Sequence, residues 1–114
     1  DLPDVSWFSA LGTAVDWHGD DSTLTALLKA VEPEHDPAGA ARDVLILANA
    51  TSEPREFILP PLAKGTRWRL FLDTAAATPY DVYPEMDGPP PPRSRRLTLS
   101  YRSLCVFVAE KGRK

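Results

Sequence analysis

The chain has 114 residues, 43% of them hydrophobic, 9% aromatic and 25% charged, and its formal net charge is −3. This length suits one domain with one core and excludes a (β/α)8 barrel enzyme of about 250 residues. The composition is typical of a globular protein, and no apolar run approaches the ~18 residues of a membrane helix. We therefore expect residues 1–114 to form one domain with no membrane partner, and the absence of an initiator Met predicts a longer parent chain.

Prolines divide the chain into short segments that are rich in apolar and β-branched residues. The chain has 12 prolines, about twice the usual ~5% share. Short apolar segments between regular turn signals are typical of all-β domains. The predicted strands are, in chain order, residues 5–8, 43–49, 55–59, 67–73, 97–101 and 104–109.

Three of these segments carry strong pairing signals. Residues 43–49 (DVLILAN) and 104–109 are nearly continuously apolar, which is typical of central strands buried on both faces. Residues 55–59 follow a turn-rich connector, so the sequence predicts that they form a hairpin with residues 43–49.

Alternation predicts the core face of two further strands. Trp68, Leu70 and Leu72 fall on one face of residues 67–73. Leu97, Leu99 and Tyr101 fall on one face of residues 97–101 in the same way.

One segment, residues 24–29, fits two structures. Four apolar residues stand at helical spacing between an N-cap and a proline: Leu24, Leu27, Leu28 and Val31, after Asp21 or Ser22 and before Pro33. The period predicts a helix of about two and a half turns. As a strand, the same segment would place Leu24, Ala26 and Leu28 on one face.

Residues 76–96 form a predicted loop rich in proline and glycine. Four consecutive prolines at 89–92 favour an extended polyproline II stretch. A PxxP ligand for a partner domain is the alternative, but no arginine stands at the flanking offset that such a ligand requires. The pattern favours a stiff loop between strands.

Charge is unevenly placed along the chain. Residues 93–114 carry seven basic side chains against one acidic, whereas residues 1–92 carry six basic and fifteen acidic. Such asymmetry can mark a nucleic-acid-binding segment. Here the basic residues alternate with apolar ones, which favours a solvated face or an interdomain contact, so we expect no nucleic-acid partner.

The residue types that supply metal, redox and catalytic chemistry are sparse. One cysteine, Cys105, and two distant histidines exclude a disulfide framework and a zinc site and predict the cytoplasm. Cys105 lies in an apolar strand and should be an inert, buried residue. We expect no metal and no cofactor.

The carboxylates are the strongest candidates for catalytic groups in this sequence. Asp16, Asp20 and Asp21 stand close together, but the surrounding Trp-His-Gly-Asp-Asp-Ser is typical of a turn. Asp73 ends a strand and should bond to the backbone of the next turn. No serine has the context of a hydrolase nucleophile, and no glycine-rich phosphate loop occurs. The sequence predicts no catalytic residues.

Three tryptophans remain as candidates for glycan contact. Trp68 is in phase with Leu70 and should lie in the core. Trp7 and Trp17 flank loops, where exposed aromatic rings can stack on sugars, so they are the candidate carbohydrate-binding residues. Packing or interdomain burial is the alternative for both.

Taken in order, the residues form a recognisable series. It runs Asp4-Val5-Ser6-Trp7, Gly12, Asp16-Trp17, Asp20-Asp21-Ser22, Leu24, Leu47-Ala48-Asn49-Ala50, Glu56-Phe57-Ile58-Leu59-Pro60-Pro61, Trp68-Arg69-Leu70, Asp73-Thr74-Ala75 and Tyr101-Arg102-Ser103-Leu104. This series resembles the C-terminal domain of isoamylase-type glycogen debranching enzymes, the glycogen-operon members of the α-amylase superfamily. The resemblance covers residues 4–109.

The resemblance implies an antiparallel β-sandwich with Greek-key character, packed against a catalytic (β/α)8 barrel. The parent of such a domain is a glycoside hydrolase that cleaves α-1,6 branch linkages of glycogen or another branched α-glucan with carboxylates on its barrel. This chain would then be a non-catalytic accessory domain that stabilises the barrel, with Trp7, Phe8 and Leu11 at the contact. The alternatives are a carbohydrate-binding module and a protein–protein interaction domain.

Two departures from the family pattern bear on the fold. Where the family has a glycine that makes a tight hairpin, this chain has Ala30-Val31-Glu32-Pro33 and a longer loop. The proline run at 89–92 is not shared either and would be a local insertion. A sandwich needs residues 24–29 beside residues 43–49, so we expect a strand there.

Overall fold

The computed structural model describes residues 5–14, 22–30, 42–62 and 65–111, and the described residues contain strands and turns but no helix. The seven strands are β1 (Val5–Phe8), β2 (Thr23–Leu28), β3 (Val44–Asn49), β4 (Arg55–Ile58), β5 (Thr66–Asp73), β6 (Arg96–Leu99) and β7 (Ser103–Lys111).

The strands form two antiparallel sheets. One sheet has five strands in the order β1-β2-β3-β7-β5, and the other pairs β4 with β6. From β3 onward the chain changes sheet at every connection, which gives the fold its Greek-key character. The predicted all-β antiparallel sandwich is therefore confirmed.

The core lies between the sheets and draws side chains from both. Leu45, Leu47 and Phe107 come from the five-stranded sheet, and Phe57 and Leu99 from the two-stranded sheet; all are at most 3% exposed. Removing these side chains from water is the main favourable term for a fold of this size.

The strand expected at residues 24–29 is confirmed as β2, which spans Thr23–Leu28, and the helical alternative is wrong. β2 pairs with β1 through Val5↔Leu28 and with β3 through Leu24↔Ala48. A strand with neighbours on both sides satisfies its backbone groups, whereas a helix of this length is marginal alone. Sheet context thus overrides the helical period.

The predicted hairpin between residues 43–49 and 55–59 is wrong. β3 pairs with β2 and β7, whereas β4 pairs with β6 in the other sheet. The chain leaves β3 through the turn that follows Asn49 and crosses to the opposite layer. Turn signals predict that the chain reverses there, but they do not specify which sheet it enters.

Asn49 makes this crossing specific. Its side chain is 1% exposed, and its Nδ2 donates to the carbonyl oxygens of Glu53 at 2.9 Å, Leu99 at 3.3 Å and Ser100 at 3.0 Å. Its Oδ1 accepts from the backbone N of Thr51 at 3.0 Å and from its hydroxyl at 2.7 Å. One amide therefore ties the end of β3, the β3–β4 turn and the end of β6 together.

A bulge in β5 changes the predicted faces. Leu70 pairs with Phe107 on the core side, but the register then shifts and Leu72 pairs with Val106 on the opposite side. Leu72 thus leaves the face of Trp68 and Leu70, contrary to the alternation, because the extra residue inverts the remainder of the strand. Likewise Tyr101, at 60% exposed, lies in the turn after β6 and outside the core.

The proline-rich loop covers the free edge of β5. The backbone N of Gly88 donates to Leu70 O at 3.0 Å, and Leu70 N donates to Pro89 O at 3.2 Å. A Cβ on Gly88 would lie 2.4 Å from that Leu70 oxygen, so only glycine allows this approach. Covering an edge strand removes a template for pairing with other chains.

Replacing Trp68 with alanine is expected to lower the free energy of unfolding by about 3–5 kcal/mol. The indole is 5% exposed, and its Nε1 donates to Pro60 O at 3.4 Å. Trp7, which is 47% exposed, provides the matched control, and Trp7→Ala should cost clearly less. Urea denaturation of the three proteins measures this, and equal losses for the two tryptophans would contradict the assigned faces.

Replacing Asn49 with leucine is expected to cost about 3 kcal/mol or more, because three carbonyl oxygens and one amide lose their buried partner. Thr98→Val, at an exposed residue of β6, is the control. Urea denaturation of both variants supplies the comparison. A near-neutral Asn49→Leu would show that the amide does not hold the two sheets together.

Candidate functional site

The face of the five-stranded sheet that points away from β4 and β6, here called the outer face, is apolar across four strands. Register places Val5 and Trp7 of β1 beside Leu28 and Ala26 of β2. The face continues over β3 and β7 with these residues: Val44, Ile46, Ala48, Leu104, Val106 and Val108. A sheet that faced only water would carry polar residues at these alternate positions.

The outer face is not flat. A groove runs along it between β1, β2 and β3, and every residue that lines it is apolar: Val5, Trp7, Leu24, Ala26, Leu28, Ile46 and Ala48. Trp7 forms one wall and is 47% exposed, and Val5 beside it is 36% exposed. Apart from the buried Ala26, the other lining residues are half-buried. Accessible apolar surface marks interaction sites in globular proteins.

Charged residues lie around the apolar area. The Lys29 ammonium, just after β2, lies 3.5 Å from the Asp43 carboxylate, just before β3. The Arg67 guanidinium lies 3.1 Å from Glu110, its partner across β5 and β7. An apolar centre with a charged border is the usual anatomy of a protein–protein interface.

The structure describes one of the two candidate carbohydrate-binding residues. Trp7 lies on the outer face, whereas Trp17 lies outside the described residues, as do the carboxylates Asp16 and Asp20. Of the other residues expected at a domain contact, Phe8 packs against the core, and Leu11 lies in the turn after β1 at 57% exposed.

Trp7 lies in β1, at one edge of the five-stranded sheet. Tyr80, at 65% exposed, belongs to the loop that borders β5 at the opposite edge. Four inter-strand steps of about 4.8 Å separate those edges. Trp7 and Tyr80 therefore do not form a two-ring platform for a sugar chain.

The outer face was not assigned from the sequence, although a signal for it exists. Residues 43–49 and 104–109 are apolar at both alternating sets of positions, which indicates a strand buried on both faces. In the structure, one set enters the core and the other forms the outer face. An apolar second face in a two-layer fold thus indicates a surface that something else covers.

Cys105 is buried, as predicted from its apolar strand. Burial, together with the neighbouring Asp73 carboxylate and a hydrogen bond to it, raises the pKa of the Cys105 thiol to about 12 from an ordinary value of 9.0. Asp73 Oδ1 accepts from Ala75 N at 3.0 Å, which is the turn contact expected for it. A thiol with this pKa is protonated at neutral pH and is a poor nucleophile.

The described ranges lack two further kinds of feature. They contain no group of three or more His, Cys, Asp or Glu side chains placed to hold a metal ion. They also contain no helix with the length and apolar character that crossing a bilayer requires.

Sequence comparison does not identify a family for the chain. No family model matches the chain, and the search of curated proteins gives no match.

The Cys105 thiol is expected to react with alkylating reagents about 1,000-fold more slowly than a free thiol at pH 8, because its pKa lies about three units higher. Its rate should rise about tenfold for each pH unit between pH 9 and 11, where an ordinary thiol levels off. The same chain unfolded in urea is the control. Rapid labelling of the folded protein at pH 8 would contradict the buried, protonated state.

Proposed function

We propose that this chain is a non-catalytic accessory domain of a cytoplasmic, isoamylase-type glycogen debranching enzyme. In this proposal the parent hydrolyses α-1,6 linkages of glycogen or another branched α-glucan on its barrel. The accessory domain packs its outer face against that barrel and stabilises it. The partner of the domain is the barrel of the same parent chain, and the glucan is the substrate of that barrel.

Two kinds of observation support the proposal. The residue series from Asp4 to Ala109 resembles the C-terminal domain of that family, and it implies a Greek-key sandwich, which is the fold the chain adopts. The resemblance assigns the catalytic carboxylates to the barrel, so no residue of this chain is given a catalytic role.

The observation that carries the proposal is the apolar outer face. Interfaces between domains of one chain bury about 600–1,500 Å², and the outer face presents apolar side chains from β1, β2, β3 and β7 to such a contact. Its bordering ion pairs, Lys29–Asp43 and Arg67–Glu110, would lie at the edge of such an interface. There they remain hydrated and cost little on binding.

A carbohydrate-binding module is the alternative, and exposed Trp7 favours it. One ring in an apolar groove offers a sugar a stacking surface, but among the described lining residues only the Trp7 indole N–H is a side-chain hydrogen-bonding group. Sugar hydroxyls need such partners when they leave water. Removing an apolar partner from water requires none, so the groove fits a protein surface better.

The outer-face contact is tested by Val106→Thr in the full-length enzyme. This isosteric change places a hydroxyl in the centre of the outer face, and it should cost about 1–3 kcal/mol where the barrel covers it. In the isolated domain, where Val106 is half-buried, the loss should be smaller. Thr98→Val, an exchange of the same two residue types at an exposed position of β6 in the other sheet, is the control. Melting temperatures of all four proteins give the comparison.

Affinity for insoluble glucan, measured on the same full-length proteins, separates the two functions. The accessory-domain proposal expects a lowered melting temperature with glucan binding unchanged. Deleting residues 1–114 should likewise lower stability and soluble yield. A deletion that abolished glucan binding and left the melting temperature unchanged would contradict the proposal and favour the binding module.

A further inference from the structure

A second feature, away from the outer face, is a cleft between the two sheets beneath the proline run. Its floor consists of core side chains, chiefly Leu70, Leu99 and Phe107, and residues 89–92 form one wall. It lies beside β6, whose sole strand partner among the described residues is β4, so the smaller sheet does not close the sandwich on this side.

The cleft has the size of a small-molecule site. Its volume is about 170 Å³, close to the ~150 Å³ of an apolar protein cavity that accepts benzene. Leu70, Leu99 and Phe107 are each at most 8% exposed, so the floor is firm and apolar. An apolar body about as large as one six-membered ring fits this space.

Polar groups gather at one end of the cleft. β5 ends at Asp73, β6 ends at Leu99 and β7 begins at Ser103, so antiparallel pairing brings these termini to the same end of the sandwich. Asp73, Ser100 and Ser103 line the cleft there. A ligand would therefore place its polar group at this end and its apolar body over Leu70 and Phe107.

The polar end carries one negative charge, on Asp73, and two of its hydrogen-bond donors are already committed. The Ser103 hydroxyl already donates to Ser100 O at 2.6 Å, and the Cys105 thiol donates to Asp73. Prolines carry no backbone N–H, so the proline wall offers carbonyl oxygens only. Within the described part of the chain, no lysine or arginine forms an ion pair with Asp73.

We propose that this cleft binds a small organic cation, a primary ammonium with an apolar body the size of one ring. The ammonium would donate to the Asp73 carboxylate and the neighbouring carbonyl oxygens. Its charge would compensate a carboxylate that has lost part of its hydration, which is the arrangement in which charge-assisted hydrogen bonds are strong. This site is independent of the outer face and of the function proposed for it.

Benzylamine is the probe, and NMR titration of the 114-residue chain is the measurement. A ligand of this size should bind with a dissociation constant of about 1 mM. The largest shifts should fall on Leu70, Leu99 and Phe107. Benzyl alcohol and benzoate have the same ring with a neutral and an anionic group, so the cation should bind tightest and the anion weakest.

Asp73→Asn keeps the side-chain shape and the oxygen that accepts from Ala75, and it should weaken benzylamine binding about tenfold or more. Glu85→Gln, which removes an exposed carboxylate outside the lining of the cleft, should leave it unchanged. Leu97→Phe adds bulk to the lining and should abolish binding of all three probes. A thermal melt of each variant verifies that it is folded.

Three results would overturn the proposal. They are an absence of saturable shifts in the unmodified protein at about ten times the expected dissociation constant, benzoate binding as tightly as benzylamine, and undiminished affinity in folded Asp73→Asn. The first two need no variant, so they decide the matter even where a substitution prevents folding.

Discussion

The connection between the two layers of this sandwich depends on one buried amide. Asn49 ends β3, and its side chain joins carbonyl oxygens from the turn before β4 and from the end of β6. It is fully removed from water, so each of its bonds replaces hydration that cannot be recovered in an incorrectly paired state. Shifting β3 by one residue would bring Asn49 to the other face and place Ala48 or Ala50 among unpaired carbonyl groups. The amide thus fixes the register of the central strand together with the point where the chain changes sheet.

Register then determines what each face offers. With β3 and β7 paired so that Leu45 meets Phe107, one set of apolar side chains enters the core, and the other set, including Ile46 and Val106, forms the outer face. Both sets are apolar, so the hydrophobic effect alone does not choose between them. The choice comes from Asn49 and from the buried Thr25 of β2, which are oriented towards the interior. The surface proposed to contact a barrel is therefore a consequence of where the polar groups of the core lie.

The bulge in β5 is a local change of register between Leu70 and Leu72, and it alters the position of Asp73 at the end of the strand. Beyond Leu70 the strand inverts its faces, so Asp73 comes beside Cys105 on the inner side instead of facing water. The loop that returns to β6 is held by Gly88 against Leu70 and passes over the gap as four prolines. A chain that lacks N–H groups cannot extend the smaller sheet, and the space it leaves is the cleft between the layers.

The sequence by itself determined the fold class, the approximate bounds of the strands and the burial of Trp68, Leu70 and Cys105. These follow from local alternation and from the cost of leaving large apolar groups in water. Local periodicity favoured a helix at residues 24–29, and pairing with β1 and β3 makes residues 24–28 the strand that a sandwich requires. Only the tertiary structure decided that β3 does not pair with β4 and that Leu72 leaves the core face. Each of these depends on partners distant in the chain: β1 and β3 for the strand, the Asn49 amide for the crossing, and the register with β7 for the bulge. The outer face and the cleft likewise depend on contacts between distant parts of the chain. Strand pairing determines which side chains enter the core and which face outwards, so neither surface exists before the strands have paired.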